Sequence, residues 1–217
     1  MSARARFLLL FALAVGIIAG ATYTLLAHRQ SATWMQDTRV YDMSKVERAF
    51  CGKDIAWTCR DLPVSVWVAT EVSPDWADAL RAGVAEADPW HKLLFFRGRL
   101  PLDAAAPEGS ITIRQSDDDF THGRAHWEVT DAGDFCRLRR VVVTLPIGTI
   151  DTETALTDLP ERVRIRIVAH ELLHALGLGH SDWETDLMYA NASALFPYRL
   201  SAQERDLLEG RYIRGCK

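Results

Sequence analysis

The sequence predicts an α+β domain, a sheet with helices packed on it, and three observations carry that prediction. Five short β-branched or alternating runs fall between residues 62 and 145. Three stretches with helical spacing begin at recognisable start signals, Ser73, Asp158 and Ser201. The chain has 217 residues, 48% hydrophobic and 25% charged, enough for one core, so a second domain is not expected.

Leu62-Pro63-Val64-Ser65-Val66-Trp67-Val68 alternates and is the first expected strand. Ser73-Pro74-Asp75 starts a helix that sets Trp76, Leu80, Val84 and Ala87 on one face. Residues 93–96, 111–113, 126–129 and 139–145 supply four more strands, the last containing Val141-Val142-Val143. A second helix is expected from Asp158, with Pro160 in its first turn and Glu161 completing a cap. On it Ile165, Val168, Leu172 and Ala175 should face the sheet, and Val163, Ile167, His170 and His174 a cleft. Ser201 with Glu204 forms a capping box for the last helix, which runs through Leu207, Leu208 and Tyr212.

The first 27 residues differ from the rest. Arg4 and Arg6 precede an uncharged stretch over 7–27, the layout of an export signal, with Ala19-Gly20-Ala21 as a cleavage site. The run is also long enough to stay in a bilayer as an anchor. Either fate puts the remainder outside the cytoplasm, secreted or periplasmic if released. Residues 28–58 read as a linker or short pro-like segment, with a helix-like stretch over 44–50, and 59–217 as the functional domain. Cys51, Cys59, Cys136 and Cys216 are an even set in an exported chain, so two disulfides are expected. Of three connectivities, Cys51–Cys59 with Cys136–Cys216 is preferred, because the first pair is close in the chain. A formal net charge of −4 gives no reason to expect a nucleic-acid partner.

Residues 170–180 read His-Glu-Leu-Leu-His-Ala-Leu-Gly-Leu-Gly-His. On a helix, His170 and His174 lie one turn apart on the same side, so both imidazoles can reach one ion. Glu171 is rotated by about 100° around the axis, beside that ion rather than on it. Gly177 and Gly179 can end the helix and turn the chain, returning His180 as a third ligand. Three histidines leave the fourth position of a tetrahedral zinc open to water, the pattern of catalytic sites. The fixed residues recur by chance in about one register in three million, at about 5% per residue type.

This stretch resembles the zinc signature of the metzincin metallopeptidases, and Leu187-Met188-Tyr189 is similar to their Met-turn. Ser181, directly after the third histidine, and Tyr198-Arg199-Leu200-Ser201 are similar to matrixin segments. The resemblance spans about residues 62–213 and implies a twisted, mixed five-stranded sheet, three helices and an active-site cleft. It further implies one antiparallel edge strand, expected at 126–129, along which an extended protein or peptide substrate lies. One catalytic zinc would be held by His170, His174 and His180, with Met188 beneath it. Glu171 would act as general base and acid in peptide hydrolysis. Tyr189, Ala190, Asn191, Ala192 and Tyr198 would line the substrate pocket. Matrixins carry a proline and an aromatic where this chain has Ala190 and Ala192, so its pocket departs from theirs.

Other features point less sharply. Asp117-Asp118-Asp119 with His122 and His126 could form a calcium or second zinc site, but a solvated loop is preferred, and calcium has no clear motif. Phe50-Cys51-Gly52 only weakly echoes a matrixin propeptide cysteine, and Asn191-Ala192-Ser193 has the form of a glycosylation acceptor. The competing function is a zinc-containing binding or adhesion module without turnover, which would be expected to lack Glu171 or a ligand. A monomer is expected.

Overall fold

The computed structural model describes residues 54–116, 123–146, 160–190 and 199–216, all within one compact unit spanning Tyr41–Lys217. The leader over 1–27, the stretch over 44–50, Cys51 and the Asp117 to His122 segment lie outside the described residues. So does the residue expected to open the second helix, Asp158.

Five strands arise where the sequence places them, four of them longer than expected and the first starting at Val64 rather than Leu62, and a sixth of two residues precedes them. In chain order they are β1 (Ile55–Ala56), β2 (Val64–Ala69), β3 (Leu94–Leu100), β4 (Ser110–Ser116), β5 (Arg124–Asp131) and β6 (Cys136–Pro146). The added strand, β1, falls inside the stretch read as linker. Its two residues are too few for any periodicity to reveal. β3, β2, β4 and β6 run parallel in that spatial order, and β5 closes the edge antiparallel to β6. β1 pairs in parallel with Cys136 and Arg137, at the start of β6.

Alternation explains the register. Val64, Val66 and Val68 of β2 are fully buried against the helices, while Ser65 and Trp67 between them are only partly covered. In β6 the buried set runs Cys136, Leu138, then Val141, Val143 and Leu145, a step of three residues in a period of two. The register with β5 jumps at the same place, from Arg140 opposite Glu128 to Leu138 opposite Val129. Arg139 is thus an extra, bulged residue, and the bulge keeps both halves of β6 facing the core.

The helices are α1 (Ala77–Ala87), α2 (Glu161–Ala175) and α3 (Ala202–Leu208), the last continuing into a π-helical turn, Glu209–Arg214. Ser73 starts a 3-10 turn ahead of α1, as its hydroxyl accepts from the Asp75 amide. The capping box of α3 forms as expected, with Ser201 Oγ bound to the Glu204 amide and Glu204 to the Ser201 amide. Pro160 is the N-cap of α2 rather than part of its first turn. The one-sided stripe expected on α2 is not found. Every residue from Arg166 to Ala175 is buried, Ile165 only partly, and Val168 packs against Gly83 of α1. From Arg166 onward the helix is enclosed on all sides and has no solvent face to mark in sequence. Among the described residues no helix is long and apolar enough to cross a membrane.

The preferred cysteine pairing is overturned. Cys59 is bonded to Cys216, 157 residues away, and Cys136 is also in a disulfide. Proximity in the chain fails as a guide because β1 carries its neighbour Trp57 under the end of α2, where Tyr212 also sits. The Trp57 amide donates to the Tyr212 hydroxyl at 3.4 Å, bringing the segment after β1 and the C-terminal turn together. Asp61, in the 3-10 turn that Cys59 opens, adds a local lock. Burial opposes its ionisation, but hydrogen bonds from Arg137 and Thr58 and the guanidinium charge outweigh this and hold its carboxyl below the ordinary value.

Two outcomes follow from this packing. A Cβ on Gly83 would lie 2.5 Å from Val168 Cγ1 and 3.2 Å from the Ala169 amide nitrogen. Gly83→Ala gains about 1 kcal/mol of helix propensity but overpacks a site with no room, costing about 1–3 kcal/mol. Its melting temperature should fall, and a rise would contradict the close helix contact. The Cys59→Ser/Cys216→Ser double variant removes a cross-link over a very long loop, about 5 kcal/mol in the chain-entropy account. Urea titration should show a clearly lower midpoint.

Candidate metal centre

The central residues of the site sit at the C-terminal half of α2. His170 and His174 share a face there, and the helix stops at Ala175, one residue after His174. Gly177 has φ of +84°, and a Cβ on it would lie 2.2 Å from the carbonyl oxygen of Ile55. Only glycine satisfies both the angle and the approach. The Leu178 amide bonds Leu173 O at 3.0 Å and the Gly177 amide bonds His174 O at 2.8 Å, the paired bonds of a Schellman turn. That turn sends the chain back so that His180 meets the two helix histidines.

The three imidazoles offer ligand nitrogens that all lie within 4.8 Å of one another. Two are oriented from behind: His170 Nδ1 bonds Leu187 O at 2.9 Å and His174 Nδ1 bonds Leu178 O at 2.7 Å. A carbonyl can only accept, so both Nδ1 atoms carry the proton and both Nε2 atoms turn a lone pair inward. His174 Nε2 then faces His180 Nε2 at 3.1 Å. Burial holds all three pKa values down, His174 to about 3 and His170 well below its ordinary value, so the rings stay neutral. Neutral imidazoles that converge their ring nitrogens, two of them buried and turned inward by their carbonyl partners, suit a cation. Tetrahedral zinc with bonds of about 2.0–2.1 Å separates its ligand nitrogens by about 3.3 Å, so this donor set fits zinc.

Glu171 lies on the adjacent side of the helix, 5% exposed, and its Oε2 is buried without a hydrogen-bond partner. Burial pushes its carboxyl up to about 8. Gly123, just before β5, passes so close that a Cβ there would lie 2.4 Å from Glu171 Cγ and 2.7 Å from Oε1. An unpartnered acceptor at a neutral-range pKa is suited to taking and returning a proton.

Met188 is fully buried in the turn after the third histidine. Its carbonyl accepts from the Ser181 amide at 2.9 Å, and Ser181 Oγ is tied to Asp186 at 2.7 Å. Of the expected pocket residues, Tyr189 is half-buried and Ala190 exposed beside this turn. Asn191, Ala192 and Tyr198 lie outside the described residues. Sequence reasoning missed four residues that shape the site. Trp57 and Trp127 cap the end of α2 through their indole N–H groups, at 2.8 Å to Ala175 O and 2.9 Å to His174 O. Glu204, read only as a cap, also accepts from the Met188 amide at 2.6 Å. Arg166 is buried one turn before His170, and a charged residue in that apolar stretch was the available signal.

A matrixin family model matches residues 102–210, just over half of the chain. No curated protein sequence matches it closely enough to be counted a relative. The matched span contains the antiparallel edge strand, all three histidines, Glu171 and the Met188 turn, each where the geometry above requires it, and the chain belongs to the matrixin family of metallopeptidases.

Proposed function

We propose that the protein is a zinc-dependent endopeptidase. The observation that carries this reading is the pairing of three convergent histidine nitrogens with a buried, unpartnered Glu171 Oε2 on the next position of the same helix. His170, His174 and His180 would hold the ion. Zinc supplies a Lewis acid that polarises the scissile carbonyl and makes bound water acidic near neutral pH. Next to a dication the balance at Glu171 reverses, because opposite charge favours the carboxylate. Glu171 then accepts the proton of the attacking water and passes it to the leaving amine. No Ser or Cys nucleophile enters.

The substrate is read as an extended peptide. β5 pairs only with β6 among the described residues, so its outer edge can take a further strand by backbone hydrogen bonds. Along β5, Ala125, Trp127 and Val129 turn toward the core while Arg124, His126 and Glu128 are exposed. Tyr189 and Ala190 are the described residues proposed to border the pocket. The compartment is proposed to be extracellular or periplasmic, by way of a cleaved or retained segment over 1–27, and the Cys59–Cys216 bond is compatible with it. An inactive binding module is not favoured, because the carboxylate that only turnover needs is present.

Glu171→Gln should retain zinc and lose hydrolysis of a casein or peptide-library substrate by about 10²–10⁴-fold. Undiminished cleavage would sink the assignment of Glu171. Chelation should abolish cleavage, and added zinc should restore it. Gly123→Ala pushes on the Glu171 side chain from Cγ outward and should lose roughly a hundredfold in kcat with zinc stoichiometry unchanged, the expected penalty of a displaced catalytic group.

A further inference from the structure

Arg166 is 2% exposed, on the buried face of α2, one turn ahead of His170. Removing a guanidinium from water costs several kcal/mol, and an apolar residue would fill this position without that penalty. Its hydrogen bonds indicate what it does there. Nη2 donates to Tyr189 O at 2.8 Å and to Leu187 O at 3.3 Å. Leu187 O is the same atom that receives His170 Nδ1 at 2.9 Å. The Met188 amide, between those two carbonyls in the chain, is held by Glu204 of α3. The turn is thus gripped by two buried side chains, one basic and one acidic.

We propose that Arg166 is a positioning residue for the metal site: by fixing the Leu187 carbonyl, it locks the tautomer and the ring direction of His170. The inference rests on reading the three histidines as zinc ligands. A carbonyl has two lone pairs, and here one meets Arg166 and the other His170, which leaves Leu187 O no freedom to turn away. Without the guanidinium, Glu204 and the Ser181 amide still hold Met188, but the Leu187 carbonyl loses its second partner and can rotate. His170 then samples the tautomer whose Nε2 carries the proton and cannot bind metal.

Charge and geometry make opposite predictions, which separates the two roles. A positive charge near a dication weakens binding, so an Arg166 acting only through charge would give tighter zinc binding in Arg166→Met and no change in Arg166→Lys. A positioning Arg166 gives weaker binding in both, because lysine's shorter stem ends in a rotating ammonium and lacks the planar group whose Nη2 holds both carbonyls. Loss of an orienting partner behind a ligand typically lowers metal affinity by about 10–100-fold.

The test is zinc affinity by chelator competition on the full chain for wild type, Arg166→Met and Arg166→Lys, with Arg164→Met as control. Arg164 lies on the same helix but donates outward to Asp75 O. In parallel, nitrogen NMR of the metal-free protein reads the His170 tautomer. The expected result is a zinc Kd raised about 10–100-fold in Arg166→Met. Arg166→Lys should also bind more weakly, the control should be unchanged, and the metal-free variants should show a mixed His170 tautomer. Unchanged or tighter zinc binding with an intact Nδ1–H tautomer, in whichever Arg166 variant folds, overturns the proposal. A wild-type chain that fails to bind zinc at all would instead refute the metal reading on which it rests.

Discussion

The rest of the structure depends on how the C-terminal end of α2 is closed. A helix leaves its last carbonyls without amide partners, and here that end is buried, where an unsatisfied carbonyl is expensive. Four side chains supply donors: Trp127 to His174 O, Trp57 to Ala175 O, Tyr212 to Leu176 O and Arg211 to Gly177 O. They come from the edge strand, from the segment after β1 and from the C-terminal turn. The carbonyls they hold belong to, or directly follow, residues that carry or aim the ligands. Metal site and fold therefore share one set of interactions. The Cys59–Cys216 bond joins the two outlying suppliers, Trp57 and the Tyr212 turn, so the cross-link acts where the caps converge.

A second dependence is electrostatic. Three imidazoles and a carboxylate are gathered at the end of an otherwise apolar helix, and burial drives the rings neutral and the carboxyl toward its protonated form. In isolation this arrangement is costly, since two imidazoles and a carboxylate have been taken from water and Glu171 Oε2 is left without a hydrogen-bond partner. A cation among the rings would offset that cost. Such a site is selected for chemistry rather than for stability, and the surroundings must hold it rigid. The Schellman turn at Gly177, the two capping tryptophans and the clamp on the Met188 turn do so.

Much of the architecture was legible because it depends on local rules. Strand alternation at Val64–Val68, the start at Ser73 and the capping box at Ser201 and Glu204 are all contacts between residues a few positions apart. Each formed as the spacing implied. The departures share one cause. The burial of α2 on every side from Arg166 on, the two-residue β1 and the pairing of Cys59 with Cys216 depend on contacts over long chain separations, which no short window reveals. β6 is instructive, since its broken alternation at Leu138 to Val141 is visible in the sequence but becomes a bulge only when β5 is laid beside it.

The candidate site divides along the same line. The sequence alone determines the candidate ligand set, three histidines that could hold one ion, because helical pitch brings His170 and His174 together and Gly177 permits the return of His180. Its resemblance to the matrixins extends this to an edge strand beside the site and a Met-turn after it. Tertiary structure decides what makes those ligands usable: which ring nitrogen keeps its proton, how Gly123 crowds Glu171, and that Glu204 and Arg166 grip the turn behind His170. The reason is physical. Pitch is a property of neighbouring backbone, whereas a hydrogen bond that selects a tautomer needs a carbonyl 17 residues away, held in place by the rest of the fold.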